Sequence, residues 1–82
     1  MTPVKEIVEF CYDLADEFGW DFTEDEMSYS SSLGAHVWFY YDTNSPSDKG
    51  AYWWLDVFET AFPYSKIDVR IKRDEVQVTI NF

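Results

Sequence analysis

Apolar residues recur at helical spacing near the start of the chain. The recurring positions are Val4, Ile7, Val8, Cys11, Leu14, Ala15 and Phe18. A helix buries one face and repeats every 3.6 residues, so this spacing predicts a helix at about 3–18. Thr2 can cap it, Pro3 suits its first position, and Gly19 is a natural stop.

A second helical pattern lies in the middle of the chain and stops at Pro63. Its apolar positions are Ala51, Trp54, Leu55, Phe58, Ala61 and Phe62. Residues 45–48 precede this pattern and contain a capping hydroxyl, then a proline, and then an acid three residues after the cap. This order favours a helix at about 46–62. The alternative for residues 51–60 is a strand, because 52–54 (Tyr-Trp-Trp) is rich in strand-forming residues.

The segment between the two helices predicts a first hairpin. A turn through 32–34 would pair Ser31 with Ala35 and Tyr29 with Val37. That register gives two faces. The inner face is predicted to carry Met27, Tyr29, Val37 and Phe39, and the outer face Ser28, Ser30, His36, Trp38 and Tyr40.

The last segment predicts a second hairpin, turned through Arg73-Asp74. The predicted pairs are Ile71 with Val76, Val69 with Val78, and Ile67 with Ile80. All six residues lie on one face, and Phe82 continues that face. Lys72 would lie across from Glu75 as an opposite-charge pair. The element order α-β-β-α-β-β predicts an α+β two-layer sandwich over 1–82 as a single domain, a four-stranded antiparallel sheet with two helices on one face.

Composition supports a folded domain. The chain has 82 residues, 46% of them apolar, and 17 aromatics (4 Trp, 6 Tyr and 7 Phe), unlike a disordered acidic tail. The N-terminus carries no visible secretion signal, and the apolar runs are too short to cross a bilayer. Cys11 has no second cysteine to pair with. We therefore expect a cytoplasmic protein.

The charge is concentrated in the first half. The net charge is −10, and no lysine or arginine occurs between Lys5 and Lys49. Residues 1–48 hold eleven acids and one base, whereas residues 49–82 hold five of each. Several acids fall where the first helix should end, and a carboxylate there costs about 0.3–1 kcal/mol because that end of a helix is already negative.

No pattern of catalytic chemistry stands out. His36 has no nucleophile arranged around it in sequence, and Cys11 lies on the buried face of the first helix. No stretch has the ligand spacing of a zinc or calcium site, and three glycines in total leave no phosphate-binding loop. We expect no enzymatic activity, no metal and no cofactor. Direct nucleic-acid binding is disfavoured because the basic residues of the last hairpin are interleaved with acids.

Acids and outward aromatics together predict a surface for a basic protein partner. Five aromatics fall on predicted outward positions: Tyr12, Trp38, Tyr40, Tyr52 and Trp53. Aromatic side chains supply much of the energy at protein interfaces, while charge steers the encounter. The predicted partner-binding residues are Glu9, Tyr12, Asp13, Asp16, Glu17, Asp21, Glu24, Asp25, Glu26, Trp38 and Tyr40.

Large basic surfaces belong mostly to proteins that grip nucleic acid. The leading hypothesis is therefore a DNA-mimic inhibitor that blocks such a surface. In size and charge the chain is similar to phage-encoded inhibitors, including anti-CRISPR proteins and the uracil-DNA glycosylase inhibitor, which would place it in a host cell's cytoplasm. It is similar in the same way to immunity proteins that neutralise nuclease toxins, which gives the alternative of an antitoxin. A third hypothesis is a homodimeric interaction module that uses the outward aromatics.

Overall fold

A computed structural model describes residues 4–30, 34–41, 44–73 and 75–81. The chain forms two α-helices and a four-stranded antiparallel sheet in the predicted order, which confirms the predicted α+β fold. The elements are α1 (Val4–Phe18), a 3₁₀ helix (Glu24–Glu26), β1 (Met27–Ser30), β2 (Gly34–Tyr40), a 3₁₀ helix (Pro46–Lys49), α2 (Ala51–Ala61), β3 (Lys66–Ile71) and β4 (Glu75–Asn81). The strand order across the sheet is β1-β2-β4-β3.

Both helices pack on one face of the sheet. A single hydrophobic cluster joins residues of α1 and α2 to the inward residues of the strands. Its buried members include Ile7, Cys11, Leu14, Ala15, Trp20, Phe22, Ala35, Val37, Phe39, Trp54, Phe58, Phe62, Ile67, Val76, Val78 and Ile80. Successive strand residues point to opposite faces, so the intervening residues, such as Trp38 and Tyr40, form a second face without a helix layer.

The first helix matches its prediction over the described residues. It ends at Phe18, and its buried residues lie at the predicted apolar spacing. The predicted cap and first residue, Thr2 and Pro3, lie outside the described residues. The last turn of α1 carries no basic residue. Its final carbonyl, that of Phe18, instead accepts a hydrogen bond from the Asn44 side-chain amide at 2.8 Å.

The second helix starts later than predicted. Residues 46–49 form a separate 3₁₀ helix, and Gly50 has φ +81°, which interrupts the helical path before α2 begins at Ala51. The indole nitrogen of Trp54 donates to the Pro46 carbonyl at 2.9 Å and holds the two helices together. The strand alternative for this segment is wrong.

The second hairpin has the predicted register. Ile71 lies opposite Val76, and Lys72 makes an ion pair with Glu75 at 3.5 Å between Nζ and Oε1. Alternation of apolar and polar residues excludes a one-residue slip, which would expose the whole apolar set, and the Lys72–Glu75 pair favours this register among those that remain. Asp74 of the predicted turn and Phe82 lie outside the described residues.

The first hairpin is shifted by two residues from its prediction. Tyr29 lies opposite Ala35, not Val37, and Ser30 pairs with Gly34, which belongs to the strand and not to the turn. Residues 31–33, which include the first two residues of the predicted turn, lie outside the described part of the chain. A shift of two preserves the faces, so Trp38 and Tyr40 remain on the outer face as predicted.

Gly34 explains the change of register. It has φ +86°, and a Cβ at this position would lie 2.1 Å from the carbonyl oxygen of Ile80. Only glycine fits so close to β4, which fixes where β2 begins.

Two aromatics differ from their predicted exposure. Tyr29, predicted to face inward, is 49% exposed because it lies on the edge strand β1. Trp53, predicted to face outward, is half-buried. Its ring packs edge-on against Phe18 and Trp20, with centroids at 5.3 and 5.9 Å.

Candidate protein-binding surface

The outer side of α1 is acidic along its length. Glu9, Asp13, Asp16 and Glu17 are all exposed. They follow one another at spacings of one, three and four residues, which places them on the side of the helix away from its buried residues. Like charges one turn apart destabilise a helix by about 0.2–0.5 kcal/mol per pair. The helix keeps these charges although they weaken it.

The acidic segment that follows α1 is fastened to the helix by Tyr12. The tyrosine ring packs edge-on against Phe22 at 5.3 Å, and its hydroxyl accepts a hydrogen bond from the backbone N–H of Glu24 at 3.2 Å. Tyr12 remains 41% exposed. Tyr12 therefore holds the acidic segment in place and also lies on the predicted binding surface.

The same segment is also fastened to the sheet. Asp21 and Tyr40 form a two-way backbone bridge, with N–O distances of 3.0 and 3.2 Å. Thr23 caps the short 3₁₀ helix, and Glu26 accepts hydrogen bonds from the Thr23 backbone and hydroxyl in return. The backbone that carries these acids is therefore ordered before any partner binds.

These contacts build an open groove of about 550 Å³ on the outer side of the sheet. We call it the sheet-edge groove, and it is lined by Asp21, Asp25, Glu26, Trp38 and Tyr40. It therefore brings five of the predicted partner-binding residues together. Partial burial raises the pKa of the Tyr40 hydroxyl, and the charge of Glu75, a hydrogen bond to it and the charge of Glu26 raise it further.

The other predicted residues lie around α1, not in this groove. Asp13 and Asp16 line a depression with Tyr12, Trp20 and Phe22. Glu9 and Glu24 line another depression beside Tyr12. The predicted site is thus an acidic band that runs from the helix layer around to the open face of the sheet.

Cations do not neutralise this band. Within residues 4–30, 34–41, 44–73 and 75–81, the one ion pair is Lys72–Glu75, in the second hairpin. Lys49 instead lies over aromatic rings, with its amine 4.8 Å from the Phe18 centroid and 5.3 Å from the Trp53 centroid. The carboxylates of the band other than Glu26, which accepts hydrogen bonds from Thr23, are therefore available to an external cation.

A second groove lies between the two helices. This interhelical groove, of about 430 Å³, is lined by Phe10, Asp13, Leu14, Glu17, Phe18, Trp53 and Val57. Sequence reasoning missed it because Leu14 and Phe18 belong to the pattern that predicts a core, whereas its other apolar residues lie outside both helical patterns. The available signal was that Phe10 and Trp53 lie at the edges of those apolar faces.

The groups with potential chemical reactivity are held in structural roles. The Cys11 thiol is buried, and burial raises its pKa well above the usual range, which keeps it from ionising to the reactive thiolate. His36 Nδ1 lies 3.1 Å from the hydroxyl of Thr79 on the adjacent strand. Among the described residues, no three His, Cys, Asp or Glu side chains are grouped to hold a metal ion.

No helix in the described part of the chain is both long and apolar enough to span a bilayer. No protein-family model, curated protein or solved structure matches this chain. The interpretation of the surface therefore depends on its geometry and charge.

Proposed function

We propose that this protein is an inhibitor that binds the basic, nucleic-acid-binding surface of a partner protein and excludes the nucleic acid. The observation that carries the proposal is that the carboxylates of the acidic band make no ion pair in the described structure and, apart from the half-buried Glu26, are exposed. An ordered array of such charges resembles the phosphates that a basic surface is built to bind.

The sheet-edge groove adds chemical specificity to this charge. Trp38 and Tyr40 offer aromatic faces beside the carboxylates of Asp21 and Asp25. An arginine side chain can stack on an aromatic ring and form paired hydrogen bonds to a carboxylate, and arginine is abundant on nucleic-acid-binding surfaces. We therefore expect arginine in the partner's contact surface.

The cost of the charges in α1 supports the same proposal. Asp16 and Glu17 lie in the last turn of the helix, where negative charge is unfavourable by about 0.3–1 kcal/mol each. A domain of this size has little stability to spare. Retaining these acids is reasonable if partner binding requires the charge at this position.

Charge reversal tests the proposal. The chain is immobilised, used to capture proteins from a bacterial lysate, and eluted with a sodium chloride gradient. The triple variant D16K/E17K/D21K should lose the captured partner, since it replaces three charges of the band. It should be at least as stable as the parent in thermal unfolding, because lysines near the end of α1 interact favourably with the helix dipole.

The matched control is D56K/E59K/D68K, which changes the net charge by the same amount at exposed positions on α2 and β3. It should retain the partner. Labelled DNA or RNA bound to the captured partner should then be displaced by about one equivalent of the chain, measured by fluorescence anisotropy. Equal capture by both triple variants, or a partner that binds no nucleic acid, would overturn the proposal.

The nature of the captured protein separates two forms of the proposal. A nuclease toxin would identify the chain as an immunity protein or antitoxin. A host protein that handles nucleic acid would identify it as a phage-type inhibitor. Both use the same surface chemistry, so the charge-reversal result is expected in either case.

A further inference from the structure

The interhelical groove has walls that are packed in place. Phe10 lies edge-on against Phe58 and Phe62, with centroids at 5.1 and 5.4 Å. Phe18 stacks on Trp20 at 4.8 Å. Phe10 and Phe18 are half-buried and are supported on one side by the core, so the groove presents apolar surface without first having to open.

The rim of this groove is negatively charged. Asp13 and Glu17 are exposed and lie one turn apart on α1. Lys49 lies at the end formed by Phe18 and Trp53, where it covers the rings. An apolar floor with two carboxylates on one wall is complementary to an apolar side chain flanked by basic ones.

We propose that the interhelical groove receives a large aliphatic side chain from a basic amphipathic helix of the partner. Residues four apart on a helix are separated by about 6 Å along its axis, so a pair of lysines or arginines at that spacing on the partner matches Asp13 and Glu17. Such an amphipathic helix in an apolar groove is a common recognition mode. This inference rests on the proposed function, because it assumes that the partner is basic.

Two designed peptides test the inference. The first is a capped 14-residue amphipathic helix of leucine and lysine, and the second has every leucine replaced by alanine at the same charge. The first should bind about tenfold tighter or more in a calorimetric titration, as expected when a leucine side chain is buried. The indole NMR signal of Trp53 should shift with the leucine peptide and not with the alanine peptide.

Variants on α2 locate the effect. Val57→Gln places a polar group in the groove and should bring the ratio of the two affinities close to one. Val57→Thr, which keeps the side-chain shape, should lower the ratio in the same direction. Tyr52→Gln, at an exposed position of the same helix outside the groove, should leave the ratio unchanged.

Charge variants separate the two proposals. D13N/E17Q should weaken both peptides equally and more than the control E59Q/D68N, with the leucine preference retained. Equal affinity of the two peptides for the parent chain, or equal effects of Val57→Gln and Tyr52→Gln, would overturn the groove proposal while leaving the inhibitor proposal standing. A dimer in sedimentation that Val57→Gln abolishes would assign the groove to a second copy. Partner capture that D16K/E17K/D21K leaves intact would overturn the inhibitor proposal, and with it the assumption of a basic partner, even if the two peptides bind as expected.

Discussion

Replacing Gly34 by alanine should destabilise the sheet strongly. The new Cβ would lie 2.1 Å from the Ile80 carbonyl oxygen and 3.0 Å from the Asn81 Cα. The positive φ costs an L-residue roughly 1–2 kcal/mol. Moving β2 away from β4 to relieve the overlap loses at least one ladder hydrogen bond, at about 0.5–1.5 kcal/mol. We expect a total loss of about 2–4 kcal/mol, out of roughly 4–12 kcal/mol for a domain of this length.

Gly50→Ala is the matched control for this prediction. Gly50 also has positive φ, at +81°, but a Cβ there would meet no atom within 4 Å. Gly50→Ala should therefore lower the free energy of unfolding only by the cost of the positive φ, roughly 1–2 kcal/mol. Urea unfolding followed by tryptophan fluorescence gives both free energies of unfolding. If the two substitutions cost the same, the close approach of Gly34 to β4 does not determine the register.

Three further predictions concern charge, a buried hydrogen bond and a tyrosine. Raising sodium chloride from low to high concentration should raise the melting temperature, because screening weakens repulsion within the acidic band; a flat melting temperature would contradict this. Trp54→Phe should lower the free energy of unfolding by about 1–3 kcal/mol, measured in urea, because it leaves the buried Pro46 carbonyl without its donor. Glu75→Gln should lower the pKa of Tyr40 towards its ordinary value of 10.0 in an ultraviolet titration referenced to Tyr40→Phe. Because folding raises this pKa, its contribution to stability is present below about pH 10 and is lost as the pH rises through the folded value.

The two hairpins show which parts of a fold a sequence determines. In the second, apolar and polar residues alternate on both strands, and the opposite charges of Lys72 and Glu75 favour one of the registers that this alternation allows. In the first, serines flank Met27 and Tyr29, and two registers that differ by two residues satisfy the pattern equally. The contact that decides between them, Gly34 against Ile80, joins residues far apart in sequence.

The start of the second helix and the shape of the candidate site are likewise set by tertiary contacts, which the sequence pattern does not show. The start of α2 was missed because residues 46–49 form a separate 3₁₀ helix, which the Ser45 side chain does not cap and which the buried Trp54 holds to α2. The lack of ion pairs in the acidic band could be predicted, because no base lies near these acids in sequence. The two grooves could not be predicted, because each combines side chains from separate elements.

The bridge between Asp21 and Tyr40 has a consequence for self-association. It continues the pairing of β2 beyond the end of β1, so the backbone of Tyr40 is not open to a second chain. At the opposite edge, β3 pairs with β4 on one side and with no other described strand, and it carries the exposed charges of Lys66, Asp68 and Arg70, which disfavour pairing with another molecule. We expect neutralising those three side chains to increase edge-to-edge association through β3.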